Sequence, residues 1–203
     1  MQASLHPTEQ KAADILHSLR SIFAAKGFDQ ASMQDLARAA GMSAGNFYRY
    51  FPSKSAIIEA LIGADMKQMG QDFESALQSG NPLMQLRSEL RGRIADHQSS
   101  GDGCLWAEMN AVALRKPEIG AIMEAMERQV TRYLVEVFAI QTGKTFDESF
   151  KDFAPQAVLI ITLFRAAAMI GSHSADVKVA LTEQIVLTIE KTLDEISSHA
   201  QKD

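Results

Sequence analysis

Apolar residues return every three or four positions along almost all of this 203-residue chain, and no stretch alternates apolar with polar over the length of a strand. Gly or Pro marks most of the joints between the periodic runs. That pattern can only bury its apolar stripes by packing helix on helix, so it predicts an all-α fold of about nine helices. The first helix spans about Thr8 to Lys26, with Ile15, Leu16, Leu19, Ile22 and Phe23 inward. A long one leaves Ser53 and continues past Leu61 and Met69 toward Leu77, where Gly80, Asn81 and Pro82 break the chain. A fifth carries Leu83, Leu86, Leu90 and Ile94, and SSGDG at 99–103 reads as a loop. The sixth runs from Cys104 to Leu114. The seventh starts at KPE and reaches about Ile140, and TGKTFDES closes it. Two long helices end the chain, Pro155 to Ser172 and Asp176 to Ile196.

Between Ser32 and Lys54 the chain reads SMQDLARAAGMSAGNFYRYFPSK, which is more specific. Ser32 followed three residues later by Asp35 makes a capping-box-like start, with the acid at the positive end of the helix dipole. Met33, Leu36, Ala37 and Ala40 then recur at helical spacing, and Gly41 stands where a left-handed closing residue is wanted. Met42 plugs the turn, Ser43 caps a second helix from about Ala44 to Phe51, and Pro52 ends it. At 100° per residue Phe47 and Phe51 share one side, with Gly45, Asn46 and Arg49 opposite and Tyr48 and Tyr50 on the flanks. Residues 43–54 carry Arg49 and Lys54 and no acid. One side packs, and the other offers groups that meet base edges and phosphates. A helix-turn-helix of this kind places its second helix in a DNA groove; a solvated surface helix is the plain alternative.

Residues 9–65 resemble the DNA-binding domain of the tetracycline-repressor (TetR) family. The resemblance rests on an opening helix ending in KGFDQASM, on DLARAAGMSAGNFYRYF, and on FPSKSAIIEAL entering a fourth helix. It implies that Ser32 and Gln34 touch phosphate, and that Ser43, Ala44, Gly45, Asn46, Tyr48, Arg49 and Tyr50 lie where the family meets DNA. It also implies that Lys54 clamps the DNA backbone. Arg49 is the base reader expected here, since an arginine fork pairs with guanine O6 and N7. The domain division that follows is residues 1–53 for DNA and 54–203 for effector binding and dimerisation.

The net charge of −5 is unevenly spread. Residues 1–60 hold six Lys or Arg against five Asp or Glu, a balance of +1, leaving 14 against 20, or −6, beyond. The acid lies away from the reading head, where it limits non-specific binding.

The last two helices carry apolar residues on more than one stripe. The first has Val158, Leu159, Ile160, Ile161, Leu163 and Phe164 nearly all round. The second has Val179, Val186 and Leu193 on one row and Ile185, Ile189 and Ile196 on another. One stripe closes the subunit's own core and the other needs a second copy, so a homodimer through residues 155–172 and 176–196 is expected. Two-fold symmetry then predicts a palindromic double-stranded operator.

The resemblance further implies a small-molecule effector that releases DNA. Trp106, Met109, Met123, Met126, Tyr133, Phe164 and Met169 are candidates for its walls, because Met and aromatic side chains make adaptable apolar surfaces. Arg165, a charge inside an apolar helix, needs either an acid, possible across the dimer, or an anionic ligand. The function expected is a ligand-responsive transcriptional regulator, a repressor in the first instance; the alternative is a helical small-molecule carrier or dimeric interaction module.

Other chemistries find little footing. GKT at 143–145 lacks the glycine a phosphate loop needs, because that position is Phe138. The five histidines, His6, His17, His97, His173 and His199, form no metal-ligand spacing, and no catalytic set, cofactor or metal is implied. Cys104 is the only cysteine, so no intramolecular disulfide is possible; it reads as a small buried hydrophobe, with a redox sensor as the other reading. The N-terminus MQASLHPTEQ has no basic-then-apolar leader, and the most apolar stretch, Ala157 to Gly171, is shorter than a span and holds Arg165. A cytoplasmic protein without membrane contact is expected.

Overall fold

The computed structural model describes residues 7–100, 102–170 and 174–199, with side chains from residue 13 onward except those of 97–100, 102 and 104. Among them are nine helices and no strand: α1 Pro7–Lys26, α2 Met33–Ala39, α3 Ala44–Tyr50, α4 Lys54–Leu77, α5 Pro82–Ser100, α6 Asp102–Ala113, α7 Pro117–Thr142, α8 Phe146–Ala168 and α9 Ala175–His199. The all-α expectation holds. None of these helices is long and apolar enough to cross a membrane. The side chain of Cys104 falls outside the described residues, as do residues 171–173.

The chain forms two compact units. One takes the described residues up to 68 together with 107–123, and the other takes 69–106 with 124 onward, so the boundaries fall inside α4, α6 and α7. In the first unit α1 packs on α2 and α2 on α3. Leu19, Phe23, Leu36, Phe47, Ile57 and Leu61 are almost wholly buried there, and Arg20 Nη2 meets Asp65 Oδ1 at 2.6 Å, tying α1 to α4. In the second unit α5, α8 and α9 pack together, with Leu86, Val135, Phe138, Phe153, Ala157, Ile160 and Leu193 in one core. The rings of Phe138 and Phe153 meet edge to face at 6.4 Å. Arg87 bridges from α5 to Glu190 and Asp194 of α9, and Arg91 Nε reaches Glu190 at 2.8 Å.

Three local expectations are corrected. SSGDG is not an open loop: Ser99 and Ser100 finish α5, and Asp102 and Gly103 begin α6. Gly103 instead serves close approach, because a Cβ there would collide with the Ala168 carbonyl at the end of α8. TGKTFDES closes α7 only through Thr142 and Gly143, and its second half starts α8 with a capping box. Thr145 Oγ accepts from the Glu148 N–H at 3.4 Å, while Glu148 accepts from the Thr145 N–H at 3.0 Å. α8 therefore begins nine residues before Pro155, which lies exposed inside it. Finally, the row Val179, Val186, Leu193 does not keep to one side of α9: Leu193 is buried, Val186 half-buried and Val179 59% exposed. A seven-residue step falls about 20° short of two helical turns, so the row drifts from solvent into the core.

Candidate nucleic-acid interface

The first unit carries a helix, a four-residue break and a second short helix whose ends are all specified locally. Ser32 Oγ accepts from the Asp35 N–H at 3.1 Å, and Asp35 Oδ2 accepts from the Ser32 N–H at 3.3 Å and its hydroxyl at 2.8 Å. The bond from the Ser32 hydroxyl, together with Lys26 Nζ 3.1 Å from Asp35 Oδ2, lowers the Asp35 pKa to about 2. At the other end of α2, Gly41 adopts φ +64, the Met42 N–H donates to Ala37 O at 2.9 Å and the Gly41 N–H to Arg38 O at 3.1 Å. This paired closure satisfies carbonyls that the helix leaves open, and it aims the chain into α3. Ser43 Oγ then accepts from the Asn46 N–H at 3.4 Å, which starts α3.

Phe47 is fully buried, and its ring lies 5.2 Å from that of half-buried Phe51. Ala44, Gly45, Asn46, Tyr48, Arg49 and Tyr50 are all exposed, and so are Ser32, Gln34 and Ser43. Arg49 Nη2 donates to Asn46 Oδ1 at 3.2 Å, and the guanidinium lies 5.5 Å from the Tyr50 ring centroid. A Cβ built on Gly45 meets nothing within 4 Å.

Lys54 stands differently from the rest. Its ammonium donates to the Phe28 and Asp29 carbonyls at 2.7 and 2.9 Å and lies 5.2 Å from the Phe28 ring centroid, so the first residue of α4 is tied to the turn between α1 and α2. That turn has further supports that no local sequence pattern signals. Glu108 Oε1 accepts from the Phe28 N–H at 2.8 Å, Lys116 Nζ lies 5.0 Å from the same ring centroid, and Asp29 meets Arg115 at 3.5 Å and Lys116 at 3.8 Å. Glu108 is 80 residues from Phe28, and no spacing rule links positions so far apart.

The effector candidates divide between the units. Met109 and Met123, both buried, belong to the first; Trp106, Met126, Tyr133, Phe164, Arg165 and Met169 belong to the second. Tyr133 stacks on Phe73 at 4.8 Å, and its hydroxyl accepts from Gln129 Nε2 at 2.8 Å. Met169 is 40% exposed. Arg165 finds its acid on its own chain, where Nη1 donates to Glu127 Oε2 at 2.9 Å while Nη2 is buried without an acceptor.

A capped pair of short helices, one anchored by a buried phenylalanine and turned outward with arginine, amide and phenol groups but no acid, defines a helix-turn-helix protein of the DNA-binding class. Comparison with known proteins agrees. The model of the bacterial regulatory proteins of the tetR family matches residues 15–61. The chain is 37% identical over 184 residues to the HTH-type transcriptional regulator EthR of Mycolicibacterium smegmatis, covering 89% of this chain and 83% of that one. It is 27% identical over 136 residues to the regulator UidR of Escherichia coli, 67% of each chain. Among solved structures, Salmonella enterica GusR superposes with a TM-score of 0.70 at 24% identity, over 95% of this chain and 100% of that one. The chain belongs to the TetR family of transcriptional regulators.

Proposed function

We propose that this regulator is a ligand-responsive repressor that binds a palindromic operator as a homodimer and leaves it when a small molecule binds. The observation that carries the reading is the exposed, acid-free side of α3 opposite Phe47. Ser32, Gln34, Ser43, Ala44, Gly45, Asn46, Tyr48 and Arg49 supply phosphate and base contacts, with Tyr50 at the edge. Lys54 has two bonds committed to carbonyl groups and keeps one N–H for a phosphate.

The dimer is supported by apolar side chains left uncovered: Val158 and Leu159 on α8, Met169 at its C-cap, and Val177, Leu181 and Leu187 on α9, each 39–49% exposed. A second copy of the same helices covers such a face in a two-fold bundle. The recognition helices of the two copies then meet half-sites about one DNA turn apart. The effector is received among the helices beyond residue 54, where Tyr133, Phe164 and Met126 contribute apolar walls. A hundredfold loss of operator affinity requires about 2.7 kcal/mol of preference for the released conformation. The protein works beside the chromosome, in the cytoplasm, and catalyses nothing.

The test is fluorescence anisotropy with the duplex upstream of the protein's own gene against a scrambled duplex, across a salt series. Tight, salt-sensitive binding to the first alone is expected; equal binding to both refutes operator recognition.

A further inference from the structure

On α3, Gly45 and Arg49 fall opposite buried Phe47, with Asn46 and Tyr48 beside them. Arg49 is held before any duplex arrives, because Nη2 donates to Asn46 Oδ1 at 3.2 Å. A guanidinium can only donate, so the amide must turn its oxygen inward to Arg49 and its amino group away from it.

Two consequences follow for recognition. An asparagine reads adenine with both ends of its amide, the oxygen accepting from N6 and the nitrogen donating to N7. With one lone pair of its oxygen engaged and its plane set by Arg49, Asn46 can make that pair only by sharing the oxygen with the guanidinium or by turning away from it. Arg49 retains Nε, Nη1 and one hydrogen of Nη2, a fork that fits the two acceptors of guanine, O6 and N7. α3 has no carboxylate to accept from cytosine N4, and its one charged group, Arg49, can only donate.

Resting on the operator-binding reading above, we propose that Asn46 is a positioning residue that holds Arg49 for guanine. Each half-site then carries one obligate G·C pair read through the major groove, and Asn46 does not itself read adenine.

The experiment enriches a randomised duplex library on the full-length protein and follows with anisotropy on the selected site. The parent is expected to select an inverted repeat with an invariant guanine in each half. Replacing that base by 7-deazaguanine, which pairs normally but lacks the N7 acceptor, is expected to weaken binding about tenfold or more. Arg49→Ala is expected to be insensitive to the same replacement. Asn46→Ala, at an exposed position, is expected to unfold no lower than the parent while its preference for guanine over adenine falls about fivefold or more. Asn46→Asp keeps an acceptor for Arg49 and is expected to retain the preference with weaker overall affinity. A uniform loss on all duplexes in Asn46→Ala, with the guanine preference intact, overturns the proposal. So does an invariant adenine whose selection disappears in that variant. An enriched repeat without guanine sinks this proposal alone, whereas a library with no enrichment sinks operator binding as well.

Discussion

Gly45 is the sharpest point of contact between structure and function, because the fold has no use for it. It lies inside α3 without a left-handed backbone, and a Cβ added there meets no atom within 4 Å. Glycine within a helix costs about 0.5–1 kcal/mol relative to alanine, through the extra freedom the unfolded chain loses. Gly45→Ala is therefore expected to stabilise the protein by that amount, raising the melting temperature by about 1–4 °C for a chain of this size. If the outward side of α3 lies against a groove floor, the same methyl group stands where the duplex must come closest, one turn before Arg49. Operator affinity is then expected to fall about tenfold or more, which is about 1.4 kcal/mol. Thermal unfolding and operator titration of the same preparation give the two signs side by side. A variant that is more stable and binds as well as the parent refutes the claim that the open space belongs to DNA. A variant that is less stable refutes the packing argument at its root.

Three other perturbations separate roles that sequence alone merges. Lys54→Met removes both charge-assisted bonds to the α1–α2 turn and is expected to cost about 2 kcal/mol in urea unfolding; an unchanged midpoint with a salt slope flatter by about one unit shows instead that Lys54 serves only phosphate. Asp35 has its pKa lowered to about 2, so the α2 cap contributes fully above about pH 4 and its contribution is lost as pH falls toward 2. Asp35→Asn is expected to weaken that acid dependence of melting, and superimposable acid limbs in the two proteins refute the assignment. Leu181→Glu, on the exposed side of α9, is expected to leave helicity intact and give monomers in sedimentation; a persistent dimer places the interface elsewhere.

Much of the reading head was legible because its instructions are short-range. The Ser32–Asp35 box, the positive φ of Gly41, the Ser43 cap and the opposition of Phe47 to Arg49 each depend on residues within four positions of one another. Elsewhere local signals compete or are missing. Pro155 does not start α8, because the Thr145–Glu148 box opening ten residues earlier is the stronger signal, and a straight helix rotates the heptad row of α9 inward along its length.

The sequence by itself determined the helical periodicity of the chain, the limits of α2 and the start of α3, and that α3 turns amide, guanidinium and phenol groups away from its anchor; hydrogen bonds and rotations spanning a few residues suffice for that. Tertiary structure alone decided that Lys54 holds a turn 25 residues away, that Phe28 receives Glu108, and that Arg165 meets Glu127 of its own chain. Those partners are chosen by how packed helices bring distant side chains to within 3 Å, and no periodicity along one strand of sequence carries that distance.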